Sequence, residues 1–254
     1  MDPTDAEMTE ARILVALDDA GAALEALSAA AALASRLRAE LFGLYVEDID
    51  LLRLAGLPFS RSVGHSSARE QPLDFEGVER AFRRQAERMR ELLEEAAERE
   101  RLAWSFRVSR GRLLETMMEQ AGRSDLLVFY RPRRAAAPHR GLARSVAVLL
   151  RQVGEVRQVL DVGLHLARSG GGELVVLAAD PALRAPAETW LEGHRARARF
   201  VPLPDLSLAL PEAVAREAAT ALVMGSGDGI EPALAGALEQ VGCPVVLCRV
   251  SGAE

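Results

Sequence analysis

The sequence predicts an α/β fold in which one doubly wound, open parallel sheet is built twice in tandem. Short apolar runs, typical of strands buried on both faces, alternate with longer amphipathic segments typical of helices. The same alternation begins again near residue 144, so the chain contains an internal repeat. Strands that alternate with helices form βαβ units, and these give a parallel sheet with right-handed crossovers.

The repeat is clearest over the first two strands of each copy and the helix between them. The first strands are Ile13–Leu17 and Val146–Leu150, and the second strands are Glu40–Val46 and Glu173–Ala179. An apolar helical stripe lies between the strands in both copies, and the alignment needs no gap. An alternative makes residues 142–152 the last helix of the first copy, but the ungapped alignment favours a strand.

The rest of the first copy contains an insert at about residues 49–80. The insert has a Leu-rich turn and then a Ser/Gly/Pro-rich stretch, which predicts an ordered lobe followed by a mobile loop. The predicted elements that follow are a long helix over residues 75–101, a strand over 102–108, a helix over 113–121 and a strand over 125–129.

The second copy is shorter. Its remaining elements are predicted as a helix over residues 181–193, a strand over 199–202, a helix over 211–219 with Pro211 in its first turn, a strand over 221–225, a helix over 231–241 and a last strand over 244–250. We therefore predict two domains, residues 11–143 and 144–251. Each has strand order 3-2-1-4-5, and the first lacks its last strand.

Composition excludes several classes of function. The net charge of −6 disfavours binding to nucleic acid, because that binding is driven by positive charge. All 31 basic residues are arginine, which excludes a phosphate-binding lysine and a lysine Schiff base. No apolar run reaches the ~20 residues of a membrane span, and the acidic start does not read as a secretory signal. With two cysteines and four scattered histidines, we expect a cytoplasmic protein without a metal site.

Four segments give the chain a resemblance to a known family. They are ILVALDD at residues 13–19, ELFGLYVED at 40–48, SDLLVF at 124–129 and GCPVVLCRV at 242–250. With these segments the chain resembles the universal stress protein family in its tandem, two-domain bacterial form. The resemblance implies a stress-response or signalling role, frequent dimerisation, and ATP binding in some members. Such members have an acidic residue after the first strand, a backbone contact to the base from the second, and a glycine loop after the fourth.

The resemblance assigns a different part of the nucleotide site to each copy. In the first copy, Asp18 and Val46 stand at the ends of the first two strands, but Arg131 and Arg133 replace the glycine loop. In the second copy, Gly225, Ser226, Gly227 and Gly229 form a glycine-rich segment, but Arg151 aligns with Asp18. The second loop also contains Asp228 and lacks the later glycine and hydroxyl pair of the family pattern.

Each candidate also has a purely structural interpretation. Asp18 and Asp19 suit a helix cap, and residues 225–229 suit a tight turn. Arg131 and Arg133 are candidate anion contacts, or else part of a solvated connector. Asp48 and its acidic neighbours are interpreted as a solvated or helix-capping turn, and both cysteines as small core residues.

The sequence thus predicts a stress-associated cytoplasmic binding or scaffold protein with degenerate nucleotide sites, and not an enzyme. No cofactor is expected, and ATP is the one candidate. The alternatives are an ATP-binding universal stress protein with little or no hydrolysis, and a nucleotide-dependent enzyme of a related fold. We expect a homodimer formed through the final strand, together with unidentified protein partners, and no contact with nucleic acid or membrane.

Overall fold

A computed structural model of the protein describes residues 12–17, 20–57, 61–63, 70–72, 74–120, 126–130, 145–203, 205–227 and 230–249. In the first half, the elements are β1 (Arg12–Leu17), α1 (Ala20–Leu37), β2 (Glu40–Asp48), α2 (Ile49–Ala55), β3 (Arg61–Val63), β4 (Glu70–Pro72), α3 (Phe75–Glu100), β5 (Trp104–Gly111), α4 (Leu113–Gln120) and β6 (Leu126–Phe129).

The second half begins with β7 and has a similar element order. Its elements are β7 (Ser145–Leu150), α5 (Val156–Gly170), β8 (Glu173–Ala178), α6 (Arg184–Gly193), β9 (Ala198–Pro202), α7 (Leu206–Arg216), β10 (Ala219–Gly225), α8 (Pro232–Leu238) and β11 (Val245–Cys248). Short 3-10 turns, Val153–Glu155 and Pro181–Leu183, precede α5 and α6. Because residues 145–150 form a strand, the alternative helix over residues 142–152 is wrong.

The predicted α/β class is confirmed, but the prediction of two separate sheets is wrong. Nine strands form one continuous sheet in the order β5-β2-β1-β6-β11-β10-β7-β8-β9. Within it, the second half has the predicted order 3-2-1-4-5, and the first half contributes its third, second, first and fourth strands. All pairings are parallel except that between β6 and β11, which is antiparallel.

The two halves pair their first two strands in the same register. Arg12 of β1 lies opposite Glu40 of β2, and Ser145 of β7 lies opposite Glu173 of β8, so the partners are 28 residues apart in both halves. The equal spacing agrees with the ungapped alignment between the copies. β7 lies between β8 and β10 and is parallel to both, as the alignment requires.

The pairing of β6 with β11 also corrects the expected dimer edge. Val128 lies opposite Val246, and both side chains are fully buried. β11 is therefore hydrogen-bonded on both sides, to β10 and to β6, and it is not an edge strand. The physical reason is that an exposed strand edge leaves unpaired backbone groups. A first half without its own fifth strand offers such an edge beside β6, and β11 of the same chain occupies it.

Helices cover both faces of the sheet. On one face the buried residues of α1, α3, α5 and α6 form one core with Ile13, Val15 and Leu17, and on the other those of α4, α7 and α8 form a second core with Leu14 and Ala16. This alternation is the two-residue period of a strand that is buried on both sides. Across the junction between the halves, α1 packs against α5.

The helix predicted to start at Pro211 starts earlier. Asp205 caps α7, because its carboxylate accepts a hydrogen bond from Leu208 N at 3.0 Å, and Pro211 then lies inside the helix. The buried side chains of Leu210 and Val214 hold this helix on the sheet although proline removes one backbone donor. Other boundaries shift by a few residues, most clearly at β5, which runs from Trp104 to Gly111 and not from 102 to 108.

The insert contains more regular structure than its composition indicates. α2 forms the ordered lobe, and β3 and β4 pair as a small antiparallel hairpin outside the main sheet. Asp48 caps α2 by accepting hydrogen bonds from Asp50 N at 2.9 Å and Leu51 N at 3.3 Å. The interpretation of this acidic stretch as a helix-capping turn is confirmed.

Candidate functional site

The topology places the two candidate nucleotide sites on opposite sides of the sheet, at opposite ends of its strands. Ligands of open α/β sheets bind at the carboxyl ends of the strands. Because β6 and β11 are antiparallel, the strands of the two halves run in opposite directions. The carboxyl ends of β1, β2 and β6 therefore lie on one side of the sheet, and those of β7, β8, β10 and β11 lie on the other. Groups from the two half-sites therefore cannot combine into one pocket within a single chain.

In the first half, Val46 lies near the end of β2 with a buried side chain. Two acidic residues near it, Glu47 of β2 and Asp50 of α2, form ion pairs with β5 and with the turn that follows β5. Arg110 binds Glu47 at 2.8 Å, and Arg112 binds Asp50 at 3.0 Å. The hydrogen bond from Arg112 lowers the pKa of Asp50, and the bond to Glu47 raises the pKa of Arg110. Asp18, Arg131 and Arg133 lie outside the described residues.

Tyr130 directly follows β6, where the family resemblance would place a glycine loop. Its side chain is buried, and its hydroxyl donates a hydrogen bond to the carbonyl oxygen of Gly242 at 3.3 Å. Burial raises the pKa of Tyr130, and the negative charge of Glu25 raises it further. The hydroxyl of Tyr130 thus links the end of β6 to the turn before β11.

In the second half, Arg151 follows β7 and reaches across to the end of β10. Its Nη2 donates a hydrogen bond to the carbonyl oxygen of Gly225 at 2.9 Å. Gly227 has a φ of +51°, and a Cβ atom at that position would lie 2.8 Å from Nη2 of Arg151. A side chain at residue 227 would therefore clash with the guanidinium, and its backbone would be strained in the left-handed region.

Only part of the predicted glycine-rich segment has a loop conformation. Gly225 is the last residue of β10 and lies opposite Cys248 in the ladder. Ser226 is buried, and its N–H donates to the carbonyl oxygen of Cys248 at 2.8 Å. Gly227 is the one member of the described segment with a positive φ. Gly229 and Asp228 lie outside the described residues.

Glu155 is a site residue that the sequence reasoning missed. Its side chain is fully buried, and its Oε1 accepts hydrogen bonds from the backbone N–H groups of Gln152, at 3.2 Å, and Arg151. Its Oε2 and the Nε of Arg151 are buried without a hydrogen-bond partner among the residues that the structure describes. A Gln-x-x-Glu spacing at residues 152–155, which resembles a capping box, could have revealed this role.

The two thiols lie at opposite ends of β11, Cys248 at the end beside Gly225 and Cys243 in the turn before the strand. Cys248 and Cys243 are buried, which agrees with their interpretation as small core residues. Burial raises the pKa of both thiols, and the charge of Glu155 adds to the effect at Cys248. Among the residues for which the structure gives positions, no three His, Cys, Asp or Glu side chains group as metal ligands. Within the same residues, no helix is long and apolar enough to cross a bilayer.

Comparison with solved structures decides the fold. A universal stress protein from Archaeoglobus fulgidus DSM 4304 superimposes with a TM-score of 0.55 over 97% of this chain and 99% of its own, at 11% sequence identity. This chain has the universal stress protein fold. The identity is too low to show more than the fold.

The other comparisons add no functional detail. A protein of the universal stress protein family from Burkholderia pseudomallei aligns with 77% of this chain and 98% of its own at 19% identity, but its TM-score of 0.26 carries no structural weight. No protein-family model and no curated protein matches the sequence.

Proposed function

We propose that this chain is a stress-associated cytoplasmic binding or scaffold protein, and not an enzyme, in which the nucleotide sites of the universal stress protein fold have degenerated. The observation that supports the proposal most directly is the hydrogen bond from Arg151 to the carbonyl oxygen of Gly225. It places a guanidinium in the crevice between the first and fourth strands of the second half, where ATP-binding members are expected to hold an acidic residue.

The chemistry of this crevice is unsuited to a ribose. A guanidinium only donates hydrogen bonds, so Arg151 cannot accept them from ribose hydroxyls as a carboxylate would. The nearby carboxylate of Glu155 is fully buried and already accepts the backbone N–H groups of Arg151 and Gln152. The N–H of Ser226, which would otherwise be available to a phosphate, donates to Cys248. Internal contacts therefore use groups that a nucleotide would need.

The alternative is an ATP-binding protein with little or no hydrolysis. It is favoured by the positive charge of Arg151 beside the left-handed backbone of Gly227, a combination that suits a phosphate. A nucleotide-dependent enzyme of a related fold is a further alternative. Protein partners and a homodimer remain part of the proposal, whereas the net charge of −6 disfavours nucleic acid.

Isothermal titration with ATP and Mg²⁺ tests the proposal. We expect no binding heat from the wild-type protein up to about millimolar nucleotide. Any binding free energy is then weaker than roughly −4 kcal/mol. Saturable binding in the micromolar range would overturn the proposal and support the ATP-binding alternative.

Three variants show which half of the chain is responsible for any ATP binding that is observed. Asp18→Ala removes the acidic group expected in the first half, and Arg151→Ala removes the guanidinium of the second. Arg157→Ala, an exposed arginine of α5, is the matched control and should change nothing. Binding abolished by one of the first two variants alone identifies the half that retains a site.

A further inference from the structure

The long helix α3 separates its charges along its length. Of the six charged residues over positions 80–90, five are arginines, and of the six over positions 91–100, five are glutamates. We call these stretches the basic segment and the acidic segment. All the arginines of the basic segment are exposed, and so are all the glutamates of the acidic segment except Glu94, which is half-buried.

This separation gives the helix little net stabilisation from its own charges. Residues four positions apart are neighbours on a helix surface, and like charges at that spacing repel. Of the ten charged pairs at this spacing in α3, five are of opposite charge and five are of like charge: Arg80 with Arg84, Arg84 with Arg88, Glu87 with Glu91, Glu91 with Glu95, and Glu94 with Glu98. The acidic segment also lies toward the carboxyl end of the helix, where the macrodipole favours cations.

Among the described residues, few charges of the two segments lie within ion-pair distance of an opposite charge. Arg80 binds Glu76 at 3.5 Å and Arg88 binds Glu91 at 3.4 Å, and the side chains in both pairs are largely exposed. Arg84 and Glu95 form no ion pair within the described part of the chain. The arrangement therefore leaves two oppositely charged surfaces on one helix without complementary partners along much of their length.

The acidic segment borders a groove between α3 and α1. The groove has a volume of about 150 Å³, and its lining mixes apolar side chains, such as Leu27 and Leu92, with the charged Glu95, Arg99 and Glu100. Leu24 of α1 lines the same groove and is 59% exposed, so its side chain protrudes beside the depression. The face thus combines a projecting leucine, a groove and two complementary charged segments.

We propose that this face of α3, with the adjoining face of α1, binds a second copy of the chain with the two α3 helices antiparallel. A two-fold axis places the same surface on both copies, so each segment must meet its complement. In the antiparallel arrangement the basic segment of each copy faces the acidic segment of the other. The final strand cannot serve as the dimer edge, because β6 of the same chain already pairs with it.

The proposed interface is weak and sensitive to salt. Exposed ion pairs are each worth little, and the apolar area around Leu24 is small. Screening at high ionic strength should therefore dissociate the dimer, since the Debye length falls from about 10 Å at 0.1 M salt to about 3 Å at 1 M. The inference rests on the homodimer of the proposed function but not on nucleotide binding, so the ATP titration and the dimer experiment can fail separately.

Charge reversal combined with sedimentation velocity tests the proposal. The variant Arg80→Glu/Arg84→Glu brings the net charge of the basic segment from +4 to 0, and Glu91→Arg/Glu95→Arg brings that of the acidic segment from −4 to 0. Each variant alone should raise the dimer dissociation constant by at least about tenfold at low salt. Mixing the two variants should restore part of the affinity, because the unchanged acidic segment of one variant then faces the unchanged basic segment of the other. The four changes in one chain should not restore it, because neither segment then carries a net charge.

Matched controls separate this result from a general effect of charge. Arg157→Glu/Arg216→Glu changes the net charge as much as the first variant but lies on α5 and α7, and it should leave the dimer unchanged. Circular dichroism and thermal melting verify that each variant is folded. A wild-type protein that stays monomeric at about 100 μM and low salt, or a dimer that survives both reversals, would overturn the proposal.

Discussion

Single side chains decide the chemistry at the carboxyl ends of the strands in the second half. Arg151 spans from β7 to the Gly225 carbonyl, and Glu155 accepts the backbone N–H groups that precede α5. Both contacts bridge residues at the ends of neighbouring elements. A crevice of this kind can lose its ligand through two substitutions while the fold is retained.

Gly227 should be the most sensitive glycine at this edge. Gly227→Ala places a Cβ in left-handed backbone and 2.8 Å from Nη2 of Arg151, so we expect a loss of about 1–2 kcal/mol in the free energy of unfolding. Gly236→Ala in α8 is the control, because nothing lies within 4 Å of its Cβ position. That change should stabilise the protein by about 0.5–1 kcal/mol. Urea unfolding measures both, and equal effects would contradict the account.

At the scale of elements, tertiary packing overrides a local breaker in α7. Pro211 lies inside this helix of 11 residues, whereas Pro232 begins α8. An interior proline removes a hydrogen bond and crowds the preceding turn, but a proline in the first turn has no such effect. The cap by Asp205 and the burial of Leu210 and Val214 hold the helix in spite of that cost.

The two prolines therefore predict opposite results on replacement. Pro211→Ala should stabilise the protein by about 1–3 kcal/mol, because an interior helical donor is regained. Pro232→Ala should give no gain, since the N–H at that position has no partner within the helix. Thermal unfolding with a fixed heat-capacity change compares them. A gain from Pro232→Ala as large as that from Pro211→Ala would show that the position within the helix is not the cause.

At the scale of the whole molecule, the halves share one sheet. β6 and β11 join them through a buried antiparallel ladder, and α1 packs against α5 across the same junction. Separate sheets could unfold independently, but a continuous sheet with a shared buried ladder couples the stabilities of both halves.

The two tryptophans offer one probe in each half, Trp104 in β5 and Trp190 in α6. We expect the single-tryptophan variants Trp104→Phe and Trp190→Phe to report single, overlapping transitions in urea once each variant's own stability change is included. Adding Val246→Ala in β11 should also lower the urea midpoint reported by Trp104, because the loss of buried packing lowers the free energy of unfolding by about 2 kcal/mol.

Val176→Ala in β8 is the companion variant, since Val176 is equally buried but lies away from the junction. In one cooperative unit it should lower the same midpoint. If Trp104 fluorescence responded to neither change, the halves would be independent folding units.

The sequence by itself determined the class of fold, the order of elements outside the insert and the repeat. These follow from local periodicity, because apolar runs mark strands and stripes of period 3.6 mark helices wherever they occur. The helix cap at Asp48 was predictable for the same reason, as its hydrogen bonds join residues two and three positions apart.

The tertiary structure alone decided how the halves join and what occupies the crevice. Pairing of β6 with β11, and the reach of Arg151 to Gly225, join residues far apart in sequence, 74 positions in the second case. No local pattern encodes such contacts, since any open strand edge with an apolar face can accept several partners. Only the packing of the complete chain selects β11 for that edge, and with it places the two candidate sites on opposite sides.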